Sequence, residues 1–407
     1  MQIHFLGLAI CFLVPLSEGT WHQWRGPARD GALALALPNP LPKSLTPLWQ
    51  VEVGEGYGSP VGWQNRIFLP VRKQDKEWLV CLNAANGKTV WEKAFEADFQ
   101  ENSYATQYGK GPFATPLVSD GKVVLVTVTG QALCLDAATG QALWSRPFDA
   151  ALTGERELFC GNTVSPLVMD GHVIIHVGDE THGRMAAYEL ATGKEVWTWD
   201  GDISGYASPV VMQFEGQRQI VSATQNKLVG LDAATGSLLW EFPWQVRWRE
   251  NIVMPIQHGE GIIVSGREQG QILKLTVKKN DRAWVLETQW KNDTLAMYMS
   301  SPVLVANRLF GFSHKLKGHY FCLDATNGAL IWQGDGRMGQ NAVLLRAKNH
   351  VLGLSTTGDL IVLPFDGGKF APLAAYKVSD QPVWAHPLFL ESIMIVKGKT
   401  RLTAWQL

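Results

Sequence analysis

A turn of the pattern Asp-x-x-x-Gly-x-x-x-Trp recurs along this 407-residue chain and constrains its fold more than any other feature. The clearest copies are LNAANGKTVW, LDAATGQALW, YELATGKEVW, LDAATGSLLW and LDATNGALIW, which end at Trp91, Trp144, Trp197, Trp240 and Trp332. Degenerate copies end at Trp49 and Trp290, and Tyr376 takes the place of Trp in a further copy. Separations of 42 to 53 residues are typical of four-stranded blades, so the repeat predicts a β-propeller.

The residue types in this turn have a mechanical explanation. The carboxylates of Asp136, Asp232 and Asp324 are expected to accept hydrogen bonds from backbone N–H groups just ahead of them. The glycine of each turn supplies the positive φ that such a turn needs. These glycines are Gly87, Gly140, Gly193, Gly236 and Gly328. Because a regularly exposed tryptophan would promote aggregation, we expect each Trp side chain to pack between blades.

Proline marks the start of nearly every repeat unit. The prolines are Pro60, Pro116, Pro166, Pro209, Pro255, Pro302 and Pro387, and Val343 takes this position in the seventh unit. Proline lacks a backbone donor and is confined to sheet edges and strand starts, which suits the strand beside the central channel. Apolar or alternating segments follow, as at residues 122–129, and long amphipathic helices are absent.

These anchors predict an all-β fold, namely an eight-bladed β-propeller of four-stranded antiparallel blades over residues 45–407. Seven blades are complete between residues 51 and 376, whereas residues 384–407 supply only three strands. The segment 45–53 resembles an outer strand that precedes the first blade. We expect it to join the last blade, because closing the ring removes an open sheet edge.

The first 19 residues are predicted to be a signal peptide, since an apolar run at residues 5–15 is followed by Ser17-Glu18-Gly19 at a suitable cleavage position. A membrane anchor is the alternative, but the run is shorter than the ~20 residues needed to span a bilayer. The residues before Cys11 do not suit lipidation. We therefore expect export to the periplasm or cell envelope, or secretion, with no transmembrane span in the mature chain. Residues 20–44 form an N-terminal extension.

Charge and cysteine usage exclude several classes of function. Lys and Arg number 36 against 37 Asp and Glu, so there is no basic excess to bind a phosphate backbone and we expect no nucleic acid partner. Cys81, Cys134 and Cys322 occupy one position in different blades, which would hold them too far apart for a disulfide. They are predicted to be small buried strand residues.

The turn motif resembles the tryptophan-docking repeat of the quinoprotein (PQQ-like) propeller superfamily over nearly all of residues 45–407. The segment WHQWRGPARDG, from Trp21 to Gly31, is similar to the WPQWRGPxRDG opening of exported bacterial PQQ-like repeat proteins, with His22 in place of proline. The architecture is also similar to that of the BamB family, eight-bladed propellers of the outer-membrane assembly machinery. This resemblance implies a scaffold with a protein partner among envelope or outer-membrane components.

A PQQ-dependent dehydrogenase that oxidises an alcohol or sugar is the alternative that the resemblance implies. Such enzymes are expected to hold PQQ between a Trp floor and adjacent cysteines, above a calcium ion, with an Asp as general base. The chain has no adjacent cysteine pair, and it has few of the insertions that build a cofactor chamber. His172 and His176 are spaced as helical metal ligands but lie in a β pattern. We therefore expect a non-catalytic protein without a cofactor or a metal site.

Loops between the blades hold the candidate binding residues, which are predicted to crowd the channel mouth where a protein or small ligand docks. Three of these loops are long, at residues 92–111, 145–162 and 241–252. The candidates are Tyr57, Tyr108, Arg156, Asn162, Tyr206, Arg249, Asn251, Tyr298, Gln340 and Trp384. The alternative is that these side chains only plug the channel and cap strand ends.

The segment from Trp21 to Gly31 allows two interpretations. Arg25 and Arg29 alternate with aromatic and small residues, and Asp30 is placed to pair with either arginine. The segment is predicted to dock across the propeller face as a structural strap, or else to present a recognition element to a partner. We expect the protein to be a monomer.

Overall fold

The computed structural model describes residues 21–147, 158–266 and 271–407. Within these ranges the regular structure is almost entirely β-strand, with short 3-10 turns at Thr106–Tyr108, Arg247–Arg249 and Lys315–Lys317. The predicted signal peptide and Cys11 lie outside the described residues. No helix in the described part of the chain is long and apolar enough to cross a membrane.

Every sheet has four antiparallel strands, and each strand pairs with its neighbour in sequence except at the ring closure. Blade 1 contains β2 (Val61–Trp63), β3 (Arg66–Lys73), β4 (Lys76–Asn83) and β5 (Thr89–Glu96). Blade 2 contains β6 (Leu117–Ser119), β7 (Lys122–Val126), β8 (Ala132–Asp136) and β9 (Ala142–Arg146). Blade 3 contains β10 (Leu167–Met169), β11 (His172–Gly178), β12 (Gly183–Glu189) and β13 (Glu195–Trp199). Blade 4 contains β14 (Val210–Phe214), β15 (Gln217–Ala223), β16 (Lys227–Asp232) and β17 (Leu238–Pro243).

The second half of the chain repeats this arrangement. Blade 5 contains β18 (Ile256–His258), β19 (Gly261–Gly266), β20 (Gln271–Asn280) and β21 (Ala283–Asn292). Blade 6 contains β22 (Val303–Val305), β23 (Arg308–Ser313), β24 (His319–Asp324) and β25 (Leu330–Gln333). Blade 7 contains β26 (Ala342–Arg346), β27 (Val351–Ser355), β28 (Asp359–Leu363) and β29 (Ala374–Lys377). Blade 8 contains β30 (Leu388–Leu390), β31 (Ile393–Lys397), β32 (Arg401–Gln406) and β1 (Thr46–Glu52).

The ring closes as predicted, because β1 from the N-terminal side is the outer strand of the last blade. It pairs with β32 in an antiparallel register that runs from Thr46 opposite Gln406 to Glu52 opposite Arg401. The prediction of an all-β propeller with eight four-stranded blades is therefore confirmed. Two of the predicted loops begin too early in the sequence. Glu92 and Glu241 still lie in outer strands, where they pair with Val80 and Val229.

The repeated tryptophan lies against the glycine turn of the next blade. Trp91 covers Gly140, where a Cβ atom would lie 2.7 Å from the indole ring, and its Nε1–H donates to the carbonyl of Ala137 at 3.2 Å. Gly140 has φ +71°, and the Asp136 carboxylate accepts the N–H groups of Ala138 and Thr139. The same contact occurs between Gly87 and Trp49, Gly193 and Trp144, Gly236 and Trp197, and Gly328 and Trp290.

Trp240 and Trp332 differ, because the blades that follow them lack the Asp-x-x-x-Gly turn. Trp240 instead donates its Nε1–H to the side chain of Gln219 at 2.6 Å. Trp332 lies beside Phe370, with 5.6 Å between the ring centroids. The repeated tryptophan is buried at positions 144, 197, 240, 290 and 332 and partly buried at positions 49 and 91. The contacts of its ring depend on whether the next blade has the glycine turn.

The Ser or Thr residue before the proline anchor of a blade forms hydrogen bonds to the adjacent blades around the channel. The hydroxyl of Ser59 accepts the N–H of His386 at 2.9 Å, and the N–H of Ser59 donates to Thr115 Oγ1 at 3.0 Å. The chain of bonds continues from Thr115 to Ser165 and from Ser165 to Ser208, each at 2.9 Å. This belt satisfies the backbone N–H groups at the starts of the inner strands, where proline leaves the ladder incomplete.

The described cysteines are Cys81, Cys134, Cys160 and Cys322, and all four have free thiols. Cys81, Cys134 and Cys322 are fully buried at the equivalent strand position. Burial raises the pKa of Cys134 to about 12, so its thiol stays protonated and packs as a small apolar group.

Candidate binding site at the channel mouth

The N-terminal segment from Trp21 to Gly31 lies inside the central channel. Its backbone carbonyls at Trp21 and His22 accept the N–H groups of Gly62 in blade 1 and Val118 in blade 2. Further along the chain, Ala32 forms a parallel bridge with Arg346 of blade 7. The segment therefore spans the ring and bonds to inner strands of several blades, as the strap interpretation predicted. An irregular segment is stable here because inner-strand backbone groups surround it.

Two buried arginines hold this segment to blades 6 and 3. Arg25 donates from Nη1 to the carbonyl of Ser301 at 3.2 Å and from Nη2 to that of Pro302 at 2.6 Å. Arg29 donates from Nη1 to the carbonyl of Pro166 at 2.7 Å and from Nη2 to that of Ser165 at 3.1 Å. Each guanidinium thereby caps two carbonyls at the start of an inner strand.

The electrostatics of these arginines are set by burial. Removal from water lowers the pKa of Arg25 to about 10, and it lowers the pKa of Arg29 to about 9 with a contribution from the charge of Arg25. Both remain cationic at neutral pH. Asp30 does not pair with them through its carboxylate, which lies 3.3 Å from Arg346 instead. Its backbone carbonyl accepts from Arg25 Nη2 at 3.2 Å.

Trp24 lies at the inner end of the segment and forms a floor across the channel. Its Nε1–H donates to Met254 Sδ at 2.9 Å, and its ring meets the buried His386 ring at a centroid distance of 4.1 Å. Burial, with a contribution from the charge of Arg25, lowers the pKa of His386 well below its ordinary value. His386 is therefore a neutral ring that supports the floor.

Above this floor is a cavity of about 190 Å³. Most of its walls come from connections that lead from the outer strand of one blade to the inner strand of the next. Its aromatic lining consists of Trp24, Tyr57, Tyr108, Phe113, Phe159, Tyr206, Tyr298 and Trp384. The remaining lining residues are Cys160, Thr163, Ser165, Ser208, Glu250, Ile252, Met299 and Ser301.

The rings on one wall of the cavity hold one another in place. Trp384 has Tyr57 on one side, at a centroid distance of 6.2 Å, and Tyr108 on another, at 5.5 Å and nearly perpendicular. On the opposite wall the hydroxyl of Tyr298 donates to Glu250 Oε2 at 2.8 Å. Burial raises the pKa of Tyr206 above its ordinary value, so its hydroxyl is neutral.

A second, more open cavity of about 630 Å³ adjoins the first and shares Phe159 and Tyr206 with it. Arg249 and Trp248 line it together with Glu180, Gln225 and Gln245. Trp248 and Arg249 have φ values of +65° and +56°, a region that side chains other than glycine rarely adopt. Trp248 is 66% exposed, so a large aromatic side chain projects at the rim.

The structure brings five of the ten candidate residues into the aromatic cavity. They are Tyr57, Tyr108, Tyr206, Tyr298 and Trp384. Arg249 lines the adjoining cavity, and Arg156 lies outside the described residues.

The other candidates do not line either cavity. Asn162 is buried and donates to the carbonyls of Val128 and Gly178. Asn251 is buried and donates to the carbonyls of Thr224 and Trp244 at 2.7 and 3.0 Å. These amides satisfy backbone carbonyls of the loops, as the alternative of capping side chains predicted. Gln340 is exposed and its backbone N–H donates to Thr356 Oγ1.

Sequence reasoning missed the floor residue Trp24 and the serines beneath the cavity. Ser165, Ser208 and Ser301 each precede a proline anchor, so the repeated Ser-Pro pair was a signal that could have found them. Trp24 had no such signal, because the loop that carries it contacts residues far away in the sequence, such as Met254.

The sequence profile of the family described as outer membrane protein assembly factor BamB matches this chain over residues 42–146 and 102–334. The chain belongs to this family. Its PQQ-like repeats are therefore those of a β-propeller family, as the turn motif predicted.

Individual relatives are more distant. Outer membrane protein assembly factor BamB of Burkholderia pseudomallei is 21% identical over 317 residues, which are 75% of this chain and 76% of that protein. Tetrathionate hydrolase of Acidithiobacillus ferrooxidans is 30% identical over 165 residues, or 37% of this chain, and the match spans only 30% of the hydrolase's own length. A europium-containing methanol dehydrogenase has a similar structure, with a TM-score of 0.70, 13% identity and coverage of 96% of this chain and 98% of that one. At that identity the likeness shows the fold alone.

The described residues at the mouth provide few of the ligands that a quinone above a metal ion would need. Calcium takes six to eight oxygen ligands from carboxylates, carbonyls and waters, and Glu250 is the one carboxylate among the described residues that line the aromatic cavity. Among the described residues no group of three or more His, Cys, Asp or Glu side chains is arranged to hold a metal ion. A quinone with several carboxylates would also need cationic partners, and this lining provides none within the described part of the chain.

Proposed function

We propose that this protein is a non-catalytic, exported interaction scaffold of the cell envelope, and that its aromatic channel mouth binds a protein partner. The observation that carries the proposal is the cavity above Trp24, where aromatic side chains from several blades converge over a closed floor. Aromatic residues in a concave, partly buried setting are the usual anchors of protein recognition. Membership of a family described as an outer membrane protein assembly factor supports a partner among outer-membrane assembly components.

A crosslinking experiment tests this proposal. A photoreactive amino acid replaces Tyr108 at the cavity, and in a matched control it replaces Lys93, which is exposed on outer strand β5. We expect adducts with outer-membrane assembly components from position 108 and none from position 93. The double variant Tyr206→Ala/Arg249→Ala should lower the yield about tenfold or more, since hot-spot residues contribute ~2 kcal/mol each. Because Tyr206 is largely buried, the melting temperature of the variant is measured as well, and yields are compared where both proteins are folded.

Equal adducts from both positions, or unchanged yield in the double variant, would contradict a partner site at the mouth. The Lys93 control is informative because β5 is an outer strand, so its exposed side chain lies away from the channel.

A PQQ-dependent dehydrogenase is the alternative function. The structural likeness to a methanol dehydrogenase favours it, whereas the lining residues do not supply the expected ligands. Mass spectrometry of the native protein, with its absorbance spectrum and metal content, separates the two functions. Copurified quinone and calcium would favour the dehydrogenase, and an apo protein that copurifies with envelope proteins would favour the scaffold.

A further inference from the structure

A short connection in blade 6 combines an exposed apolar side chain with a strained backbone. It joins β23 to β24 and contains the 3-10 turn Lys315–Lys317. Leu316 at its centre is 60% exposed, more than any other leucine in the described part of the chain. Leu316 and Lys317 have φ values of +54° and +63°, a region that side chains other than glycine rarely adopt. Backbone that is costly to form clusters at functional sites, so this turn is a candidate interaction surface.

The connection that leads from blade 6 to blade 7 packs against this turn. The N–H of Arg337 donates to the carbonyl of Leu316 at 3.0 Å, and the N–H of Met338 donates to the carbonyl of Gly318 at 2.9 Å. Arg337 also has a positive φ, +64°. We call Lys315–Lys317 together with Arg337 and Met338 the blade 6 ridge. Two connections therefore hold the ridge in one fixed shape.

The blade 6 ridge lies on the same face of the propeller as the aromatic cavity. His314 directly precedes the ridge, and its ring lies 5.7 Å from the ring of Tyr298, which lines that cavity. A groove of about 440 Å³ lies between blades 6 and 7. Arg337 and Met338 form part of its wall, so the ridge and the groove make one continuous surface.

Positive charge prevails among the described residues of the ridge. The exposed side chains of Lys317 and Arg337 form no ion pair or hydrogen bond within the described part of the chain. Lys315 donates to the backbone carbonyl of Thr294 at 2.8 Å rather than to a carboxylate. Asp335 is the acidic residue close to them in sequence, and it offsets only one of these charges. The ridge therefore presents cations on both sides of an exposed leucine.

We propose that the blade 6 ridge and the groove beside it bind an acidic segment of a protein partner. Carboxylates of such a segment pair with Lys317 and Arg337, and this complementarity of charge speeds association and selects the partner. An apolar side chain of the same segment packs on Leu316 or enters the groove, whose wall includes Met338 and Ile361. The inference rests on the proposed scaffold function, to which it adds a second contact surface and the charge of the partner.

The groove favours a protein segment over a lipid surface. Besides its apolar wall it presents Ser355, Thr357, Asp359 and Lys377, and Asp359 pairs with Lys377 at 3.2 Å. A few polar groups set in a concave wall fix the orientation of a bound chain. Anionic lipid surfaces are instead bound by clusters of about four to eight basic residues, which is more than the ridge contains.

Site-specific crosslinking in the cells that make this protein tests the proposal. A photoreactive amino acid replaces Leu316 in the full chain. In a matched control it replaces Leu373, which is 54% exposed but lies between β28 and β29 at the opposite face. Adducts are digested and mapped by mass spectrometry, and we expect the segment captured at position 316 to have a net negative charge. No protein adduct at position 316, a neutral or basic segment, or equal adducts from both positions would overturn the proposal.

A synthetic peptide of the mapped segment then measures the contribution of charge. Its affinity for the purified full chain is determined by fluorescence anisotropy, and Lys317→Gln/Arg337→Gln should weaken binding about fivefold or more at low salt. Added salt should reduce this difference, because salt screens exposed charges. The control Lys88→Gln/Lys194→Gln removes two exposed charges from turns at the opposite face and should bind as the parent does. Equal affinities of the two double variants, with melting temperatures like the parent's, would contradict the proposal.

The outcomes separate this inference from the proposed function. If position 108 captures an outer-membrane assembly component and position 316 captures no acidic segment, the docking surface is wrong while the scaffold function stands. If position 316 captures an acidic segment and position 108 captures nothing, the ridge stands and the mouth is not the partner site. Cosedimentation with phosphatidylglycerol vesicles that is lost in Lys317→Gln/Arg337→Gln, without a protein adduct at position 316, would make the ridge a lipid contact and contradict the proposal.

Discussion

The blade ring and the channel segment are both held by buried contacts, but they use different chemistry. In the ring, a tryptophan such as Trp144 covers Gly193 of the next blade and donates to the carbonyl of Leu190 at 3.0 Å. In the channel, Arg25 and Arg29 donate to carbonyls at the starts of inner strands. The ring contacts bury apolar surface, whereas the channel contacts neutralise backbone dipoles with charge. Apolar contacts suit a unit that repeats, and charged contacts suit a unique segment that crosses the axis.

The largest expected effect is on the ring side of this comparison. Trp144→Ala removes a side chain that is 8% exposed and leaves a cavity between two blades. We expect the free energy of unfolding to fall by about 3–5 kcal/mol, measured by chemical denaturation. The control is Trp248→Ala at the exposed rim, where a loss within about 0.5 kcal/mol is expected. A loss below about 1 kcal/mol for Trp144→Ala would mean that the tryptophan contacts do not hold the blades together.

A smaller effect is expected on the channel side. Arg29→Met keeps much of the side-chain volume but leaves the carbonyls of Ser165 and Pro166 without the guanidinium. We expect unfolding to become easier by about 2 kcal/mol, because hydrogen bonds to a charged group contribute ~1.5–3 kcal/mol each and the burial cost of the charge is relieved.

The matched control for Arg29 is Arg66→Met on the ring. Arg66 also caps two carbonyls, those of Ala137 and Ala138, at 3.0 and 2.6 Å, but at a partly exposed position. We expect a loss of less than about 1 kcal/mol there, because water replaces the lost donor. An equal loss in the free energy of unfolding for Arg29→Met and Arg66→Met would show that burial in the channel does not strengthen the hydrogen bonds from an arginine to backbone carbonyls.

The smallest expected effect concerns acidification and the floor of the cavity. The folded protein holds the pKa of His386 well below its ordinary value because the ring is buried beside Arg25. The unfolded chain therefore binds this proton first, and stability that is present above pH 6.5 is lost as the pH falls. One such histidine contributes a slope of about 1.4 kcal/mol per pH unit below the unfolded pKa.

His386→Phe should remove this contribution and reduce the fall in stability between pH 6.5 and 5.5 by about 1 kcal/mol. The measurement is the free energy of unfolding at both pH values. Leu373→Ala is the control, since Leu373 is not ionisable and its side chain is 54% exposed, and it should leave the slope near that of the parent. A slope unchanged by His386→Phe would show that the floor histidine does not titrate on unfolding.

Much of the ring could be predicted because its information is local. The distance from Asp136 through Gly140 to Trp144 is eight residues, and the turn forms from hydrogen bonds within that span. The start of each inner strand is likewise marked by a proline, as at Pro166 before β10. The ring closure followed from counting strands, because the eighth blade lacked one and β1 had no other partner.

The candidate site was predicted less completely. Tyr57, Tyr206, Tyr298 and Trp384 precede inner strands, so their convergence at the channel follows from the repeat. Asn162 and Asn251 occupy similar sequence positions but turn into the loops, where carbonyls need donors. Whether a side chain at this position lines the cavity or caps a loop depends on contacts with neighbouring blades. The local sequence does not specify those contacts.

The sequence by itself determined the blade, the number of blades and the closure of the ring, because each follows from short-range hydrogen bonding and from the cost of an open sheet edge. Only the tertiary structure decided where the segment from Trp21 to Gly31 lies. Arg25 bonds to a carbonyl 277 residues away and Arg29 to one 137 residues away, and such contacts exist only once the blades surround the channel. The cavity also forms only when the ring of blades has closed. Trp24 becomes its floor because the closed ring places Met254 and His386 against the Trp24 ring.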